Sequence, residues 1–205
     1  MKRVLALVLA AMTALWLGLT PAAAVSTPAP VPVQTAIFAG GCFWCMESDM
    51  KTIHGVLVVD SGYTGGTTPN PSYKAVQSGK TGYYEAVRVG FDPRQISYRQ
   101  LVDRYWKLVD PTDVGGQFCD RGSSYRPAVF VDGPNQQKAA EESRAAAARG
   151  LRTGKIVTPI LPAAAFYMAE PYHRNFAQRN ASGYEMYRVG CGRDARLEEL
   201  WGRGG

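Results

Sequence analysis

Thr35-Ala36-Ile37-Phe38-Ala39-Gly40-Gly41-Cys42-Phe43-Trp44-Cys45-Met46 changes periodicity halfway along its length. Thr35 to Ala39 is a short β-type run, and Gly40-Gly41 breaks it. From Cys42 onward, Phe43, Trp44, Met46, Glu47, Met50 and Ile53 follow helical spacing. Cys42 is therefore predicted at a strand-to-helix junction. There, unpaired backbone N–H groups and aligned peptide dipoles favour an anion, so a lowered thiol pKa and a reactive thiolate are expected. Phe43 and Trp44 beside the sulfur suggest an apolar pocket touching the nucleophile, although two aromatics at helical spacing also fit a core.

Downstream, Val56 to Tyr63 reads as a buried strand. It ends in the turn-rich Thr64-Gly65-Gly66-Thr67-Thr68-Pro69-Asn70-Pro71, a loop long enough to carry function. Pro71-Ser72 starts a short helix over Tyr73 to Gln77. Tyr84 to Phe91 alternates like a strand, with Ala86, Arg88 and Gly90 opposite Val87, Val89 and Phe91, and Glu85 near its start. Ser97 caps an amphipathic helix reaching Val109. Asp110 to Ser124 is aperiodic, Ala128 to Val131 is a strand, Asn135 to Ala148 is an Ala-rich surface helix ended by Gly150, and Ile156 to Leu161 is a strand. From about Gly183 the chain reads as irregular until Leu197, Leu200 and Trp201 suggest a last short helix. Within it, Gly190 and Gly192 leave Cys191 mobile and approachable. Helices and strands alternate without a repeat, which gives an α/β or α+β domain with a mixed sheet covered by helices.

At the N-terminus, Lys2 and Arg3 precede an apolar run from Val4 to Leu19 and then Ala22-Ala23-Ala24, the three-part pattern of a secretory signal peptide. The run is shorter than the roughly 20 residues a membrane span needs. The expected organisation is a signal peptide at 1–24, a flexible leader at 25–33 and a single catalytic domain at 34–205, in an exported protein, periplasmic or secreted. The net charge of +6 falls to 6 − 2 = +4 without Lys2 and Arg3 and is spread along the chain, which argues against nucleic acid as a partner. No membrane association after cleavage and a monomeric state are expected.

Cys42, Cys45, Cys119 and Cys191 in an exported chain would by default form two structural disulfides. A domain of this size does not depend on them, and Cys42 and Cys45 are too close to close a useful loop. Cys42-Phe43-Trp44-Cys45 is also a Cys-x-x-Cys, so a thioredoxin-like thiol–disulfide oxidoreductase is a rival reading, with Thr158-Pro159 as its proline partner. A non-enzymatic disulfide-bonded binding module is a third. With two histidines and dispersed cysteines, no metal site is expected.

Gly41-Cys42-Phe43-Trp44, Gly62-Tyr63-Thr64-Gly65-Gly66, Asn70-Pro71-Ser72-Tyr73, Thr81-Gly82-Tyr83-Tyr84-Glu85 and Asp120-Arg121-Gly122-Ser123-Ser124-Tyr125-Arg126 follow one another in order. Phe91-Asp92-Pro93, Ile96-Ser97-Tyr98, Asp110-Pro111-Thr112 and Tyr172-His173 extend the series. Together they resemble the A-type peptide methionine sulfoxide reductases from about Thr35 to Asn180. The resemblance implies an α+β fold, a two-layer sandwich with a ferredoxin-like core and a long irregular C-terminal tail. It also implies reduction of methionine S-sulfoxide, free and in proteins, as a repair reaction.

A sulfoxide sulfur becomes electrophilic when its oxygen is stabilised, so the reaction needs a soft nucleophile on one side and proton donors on the other. By resemblance Cys42 is the nucleophile, Glu85 the acid, Tyr73 and Tyr125 hydrogen-bond donors to the oxygen, and Asp120 a support for that network or a water. The substrate methyl group would lie against Phe43 and Trp44. Glu85 must then have a raised pKa, which burial beside Trp44 and the tyrosines would produce. Attack leaves a sulfenic acid on Cys42 that a second thiol resolves. By resemblance that thiol is Cys191, with Cys45 the alternative. No bound cofactor is implied, only an external thioredoxin-like dithiol reductant.

The sequence departs from the family pattern in four places. Tyr83 stands where His is common, Ser124 where Gln is frequent, and Cys119 where Asn is usual, while the tail around Cys191 lacks the usual glycine-rich character. Cys119 is expected to be a buried inert thiol, with a relay role as the alternative. His54 is expected to be exposed, and His173 either to pack or to hydrogen-bond near the site.

Overall fold

The computed structural model describes residues 32–203; the expected signal peptide and most of the leader lie outside the described residues. The first strand, β1 (Gln34–Ala39), leads through Gly40-Gly41 into α1 (Phe43–Lys51), with Cys42 as its N-cap residue. The two glycines serve different needs. Gly41 has φ +83°, and a Cβ on it would lie 2.6 Å from that of Gln117, while a Cβ on Gly40 would meet Met46 Sδ at 2.5 Å. Gly41→Ala should therefore cost about 2–4 kcal/mol, combining left-handed backbone strain with overpacking. A thermal melt measures it; an unchanged melting point would show that the turn can relax.

The chain continues through β2 (Val56–Thr64), α2 (Tyr73–Gln77), β3 (Tyr84–Phe91) and α3 (Tyr98–Trp106). Ser72 caps α2, and Ser97 with Gln100 forms a full capping box on α3, as such residues do by satisfying free N–H groups of the first turn. A two-stranded hairpin, β4 (Gly116–Gln117) and β5 (Asp120–Arg121), precedes β6 (Ala128–Val131) and the long helix α4 (Gly133–Gly150). The main sheet runs β7-β6-β1-β3-β2-β8, where β7 is Ile160–Pro162 and β8 is Tyr167–Met168. Its inner four strands, with α1 after β1 and α3 after β3, have the β-α-β-β-α-β ferredoxin-like arrangement. The parallel β6–β7 pair makes the sheet mixed. Strand β7 is shorter than expected because Val157 N–H is taken by the Pro111 carbonyl at 2.8 Å, outside the sheet.

Strand β3 lies in the middle of the sheet. Its odd-numbered row, Val87, Val89 and Phe91, packs under α1 and α3 with Phe38, Met46, Met50, Leu101 and Trp106. Its even row enters a second, smaller cluster of Tyr84 and Ala86 with Ala39, Ala128 and Phe130. Alternation therefore gave the two faces correctly, and both are covered. Glu85 belongs to the helix-facing row and is 1% exposed; it is not a surface charge at a sheet edge.

The C-terminal segment corrects the expected irregular tail. It forms α5 (Phe176–Arg179), α6 (Ala181–Gly190) and α7 (Arg193–Trp201). Glycine and charge hid this because the helices are held by tertiary contacts rather than by propensity. Asn180 caps α6, Arg188 pairs with Asp49 on α1 at 2.7 Å, and the buried Arg193 donates to the Leu108 carbonyl and lies over Phe118 at 4.5 Å. Among the described residues no helix is long and apolar enough to cross a membrane.

Candidate active site

The start of α1, the first residues of β3, α2, the β4–β5 hairpin and α6 meet around Cys42. The Glu85 carboxylate faces α1, where Oε2 accepts the first helical N–H, from Phe43, at 3.1 Å. Its Oε1 accepts from Gln77 Nε2 at 2.8 Å, and Gln77 Oε1 in turn accepts from the Tyr125 hydroxyl at 3.1 Å. The Tyr73 hydroxyl neighbours that of Tyr125, and each bears on the other's proton. Burial above all, together with the charge of Asp120, pushes the Glu85 carboxyl up to about 8. This meets the demand that the acid arrive protonated near neutral pH. What covers the carboxyl is the first turn of α1 and the Gln77 amide.

Cys42 is 6% exposed and makes no capping bond of its own. Its thiol is pushed up, first by burial, then by the Cys45 thiol and the Glu85 charge, with Tyr187 acting against them. The expected lowering at the helix start is therefore not found. The N–H that would have favoured the thiolate is committed to Glu85, and a carboxylate faces the sulfur. Cys45, one turn along α1, donates its backbone N–H to the Cys42 carbonyl at 3.2 Å, and its thiol is shifted down, by the Cys42 thiol first and then, against burial, by Arg193 and Arg188.

Phe43 is fully buried, its ring 5.1 Å from that of His173 and 6.0 Å from that of Tyr63. Trp44 is half-buried, stacked on Phe176 at 3.8 Å, and its indole N–H donates to His173 Nδ1 at 3.2 Å. His173 is buried against Tyr73, so it hydrogen-bonds within the site as well as packing there. Glu170 supports this side by accepting from the Tyr63 hydroxyl at 2.7 Å and from Tyr73 N–H at 2.8 Å. Asp120 on β5 accepts a hydrogen bond from the Tyr187 hydroxyl on α6.

Cys191 is not a free, mobile thiol. It caps the end of α6 and is joined to Cys119 in a disulfide, with Cα atoms 4.8 Å apart. Cys119 is exposed, contrary to the expected buried thiol. Cys42 and Cys45 are free. Cys119, Asp120 and Cys191 are the one trio of metal-ligating groups brought within 4.8 Å among the described residues, and the disulfide occupies two of its three ligand atoms. Tyr83, in place of the family's usual His, is buried and donates to the Thr68 carbonyl rather than to Glu85. His54 is exposed.

The sequence reading thus brought Cys42, Glu85, Tyr73, Tyr125, Asp120, Phe43 and Trp44 into one region and missed Gln77, Glu170 and Tyr187. Gln77 was reachable, since it stands four residues after Tyr73 on the same helix face. Tyr187 was not, because its segment was read as irregular.

The family description "Peptide methionine sulfoxide reductase" matches residues 34–204. A peptide methionine sulfoxide reductase of Caulobacter vibrioides is 57% identical over 202 residues, covering 98% of this chain and all of the relative. One of Bacillus licheniformis is 47% identical over 83% of this chain and 94% of its own length. Among solved structures, the methionine sulfoxide reductase A of Corynebacterium diphtheriae superposes with TM-score 0.66 at 33% identity, over 74% of this chain and 77% of its own. The reduced form of Mxr1 from Saccharomyces cerevisiae does so with TM-score 0.70 at 29% identity, over 76% and 90%. The chain belongs to the peptide methionine sulfoxide reductase family.

Proposed function

We propose that this protein reduces the S epimer of methionine sulfoxide, free and in proteins, with Cys42 as nucleophile and Glu85 as acid. The observation that carries this reading is Glu85: a buried carboxyl with a raised pKa, bonded to the first N–H of the helix that Cys42 caps and, through Gln77, linked to the Tyr125 hydroxyl beside Tyr73. Such a group delivers a proton to an oxygen that gains charge, and the tyrosines hold that oxygen. The substrate methyl group lies on Trp44 and Phe43, whose apolar surface offers no partner to a charge.

Cys42 attacks the sulfoxide sulfur, the proton of Glu85 passes to the oxygen, and the S–O bond breaks. The oxygen ends on the cysteine as sulfenic acid; the substrate sulfur is reduced by two electrons and the Cys42 sulfur oxidised by two. For the next step the contact between Cys45 and Cys42 favours Cys45: its thiol displaces water from the sulfenic acid and forms a Cys42–Cys45 disulfide. Cys191 enters afterwards. Once reduced, Cys119 and Cys191 exchange with the inner disulfide, leaving an outer disulfide and an inner dithiol, the same distribution as in the structure. The exposed Cys119 suits attack by an external dithiol, which closes the cycle. A thioredoxin-type protein is the fitting reductant; yeast Mxr1 has a structure in complex with Trx2. The signal-like N-terminus supports a mature enzyme outside the cytosol; sequencing its mature N-terminus should find it shortened.

The test is incubation with dithiothreitol and a racemic peptidyl methionine sulfoxide. Only the S epimer should disappear, and Cys42→Ser should abolish the loss. Consumption of both epimers, or an active Cys42→Ser, would overturn the assignment.

A further inference from the structure

The turn between β8 and α5 carries Glu170 and His173, neither of which takes part in the chemical steps above. It is held on both sides. Ala169 N–H donates to the Ser61 carbonyl of β2 at 2.9 Å, and Arg179 on α5 donates to the Pro171 and Tyr172 carbonyls at 3.2 and 2.7 Å. Within the turn His173 N–H donates to the Glu170 carbonyl at 2.9 Å, so both side chains leave one braced piece of backbone.

Each side chain grips a different wall of the site. The Glu170 carboxylate accepts the N–H of Tyr73, where α2 begins, on Oε1 at 2.8 Å, and the hydroxyl of the fully buried Tyr63 on Oε2 at 2.7 Å. Burial opposes its charge, but the donors, Tyr73 N–H and the Tyr63 hydroxyl first, outweigh it and hold the carboxyl below its usual range. The buried His173 ring lies 4.2 Å from that of Tyr73, and its Nδ1 accepts the Trp44 indole N–H at 3.2 Å. A ring nitrogen that accepts carries no proton, and burial favours this neutral imidazole. We propose that the Glu170–His173 turn is the positioning element of the site: Glu170 sets the Tyr73 hydroxyl against the sulfoxide oxygen, and His173 sets the Trp44 wall against the methyl group. Both are positioning residues that act through a neighbour. Misplacing a reacting group by about 1 Å can cost about 10²-fold in rate, so a turn that fixes two walls at once governs the rate without touching the substrate.

The inference rests on the sulfoxide-reduction reading and is tested in the full chain by single-turnover rates against the concentration of a peptidyl methionine S-sulfoxide. Tyr73 acts on an oxygen that gains charge only during reaction, so Glu170→Ala should lower the limiting rate roughly 10-fold or more, with half-saturation little changed. The methyl contact is present before and during reaction, so His173→Leu should instead raise the half-saturating concentration about 10-fold, the scale of one misfitted methyl group. Each loss should vanish when its wall is already altered. Glu170→Ala should cost less than about 2-fold in a Tyr73→Phe background, and His173→Leu less than about 2-fold in a Trp44→Phe background. A residue that merely stabilises the fold lowers single and double variants by the same factor, and equal factors in either cycle would overturn the proposal. Where one of these variants does not fold, Tyr63→Phe removes only the hydroxyl on Glu170 and should repeat the first pattern with a smaller loss; no loss, or a loss that persists with Tyr73→Phe, counts equally against it. A wild-type chain inactive on the S epimer would overturn the function itself, whereas an active one with additive losses overturns this inference alone.

Discussion

Glu85→Gln is expected to slow methionine formation by about 10²–10⁴-fold, the usual contribution of a positioned acid, with substrate binding little changed. Gln keeps the size of the side chain and an oxygen that accepts from Phe43 N–H, while its NH2 replaces the oxygen that accepted from Gln77 Nε2, so the Gln77 amide must turn over to meet it. The wild-type rate of the chemical step should fall as pH rises through about 8, where Glu85 loses that proton, and the variant should lack this limb. Single-turnover rates across pH measure both, and a variant within a few-fold of wild type would remove Glu85 from the mechanism. The same shift has a stability sign. A carboxyl whose folded pKa is raised favours folding most at pH below its unfolded pKa, and this advantage is lost as pH climbs to about 8. Glu85→Gln should therefore melt higher than wild type above pH 8, so that the group most damaging to activity when replaced is also one whose replacement stabilises the fold.

Fully reduced enzyme given excess sulfoxide and no reductant is expected to release two methionines per chain, and Cys119→Ser/Cys191→Ser only one. Cys42→Ser should release none. The counts follow from the two cysteine couples: each inner oxidation yields one methionine, and the outer pair can restore the inner thiols once before an external dithiol is needed. Cys45→Ser should leave the sulfenic acid on Cys42 long enough to be trapped by dimedone, with mass spectrometry identifying the site. A wild-type burst of one would instead make the outer disulfide an inert brace between α6 and the hairpin. A Cys42–Cys191 disulfide in wild type would return the first resolving role to Cys191.

Much of this site could be read along the chain because its parts are local. The Gly40-Gly41 break positions Cys42 at a helix start, period-two alternation in β3 puts Glu85 on the same row as Val87 and Val89, and Ser72 starts the short helix that bears Tyr73. These follow from backbone sterics and side-chain parity, which need only neighbouring residues.

The electrostatics were less legible. Placing a thiol at a helix N-terminus predicts a lower pKa, and the opposite direction arises because a carboxylate 43 residues away by sequence number takes the first N–H of that helix and adds its own charge. The pairing of Cys119 with Cys191 spans 72 residues, and nothing in either local sequence selects it over the other cysteines. The helices after Phe176 likewise have weak propensity and exist because Arg188, Arg193 and Trp201 find Asp49, Leu108 and Val109 in the folded core.

By itself, then, the sequence determined where the nucleophile, the acid and the hydroxyl donors stand along their own strands and helices, since that depends on short-range geometry. Only the tertiary structure decided which sulfur faces Cys42, what Glu85 is bonded to and that Tyr187 is present at all, because those depend on distant segments meeting in a buried site of low dielectric, where one N–H or one charge changes which atom holds the proton.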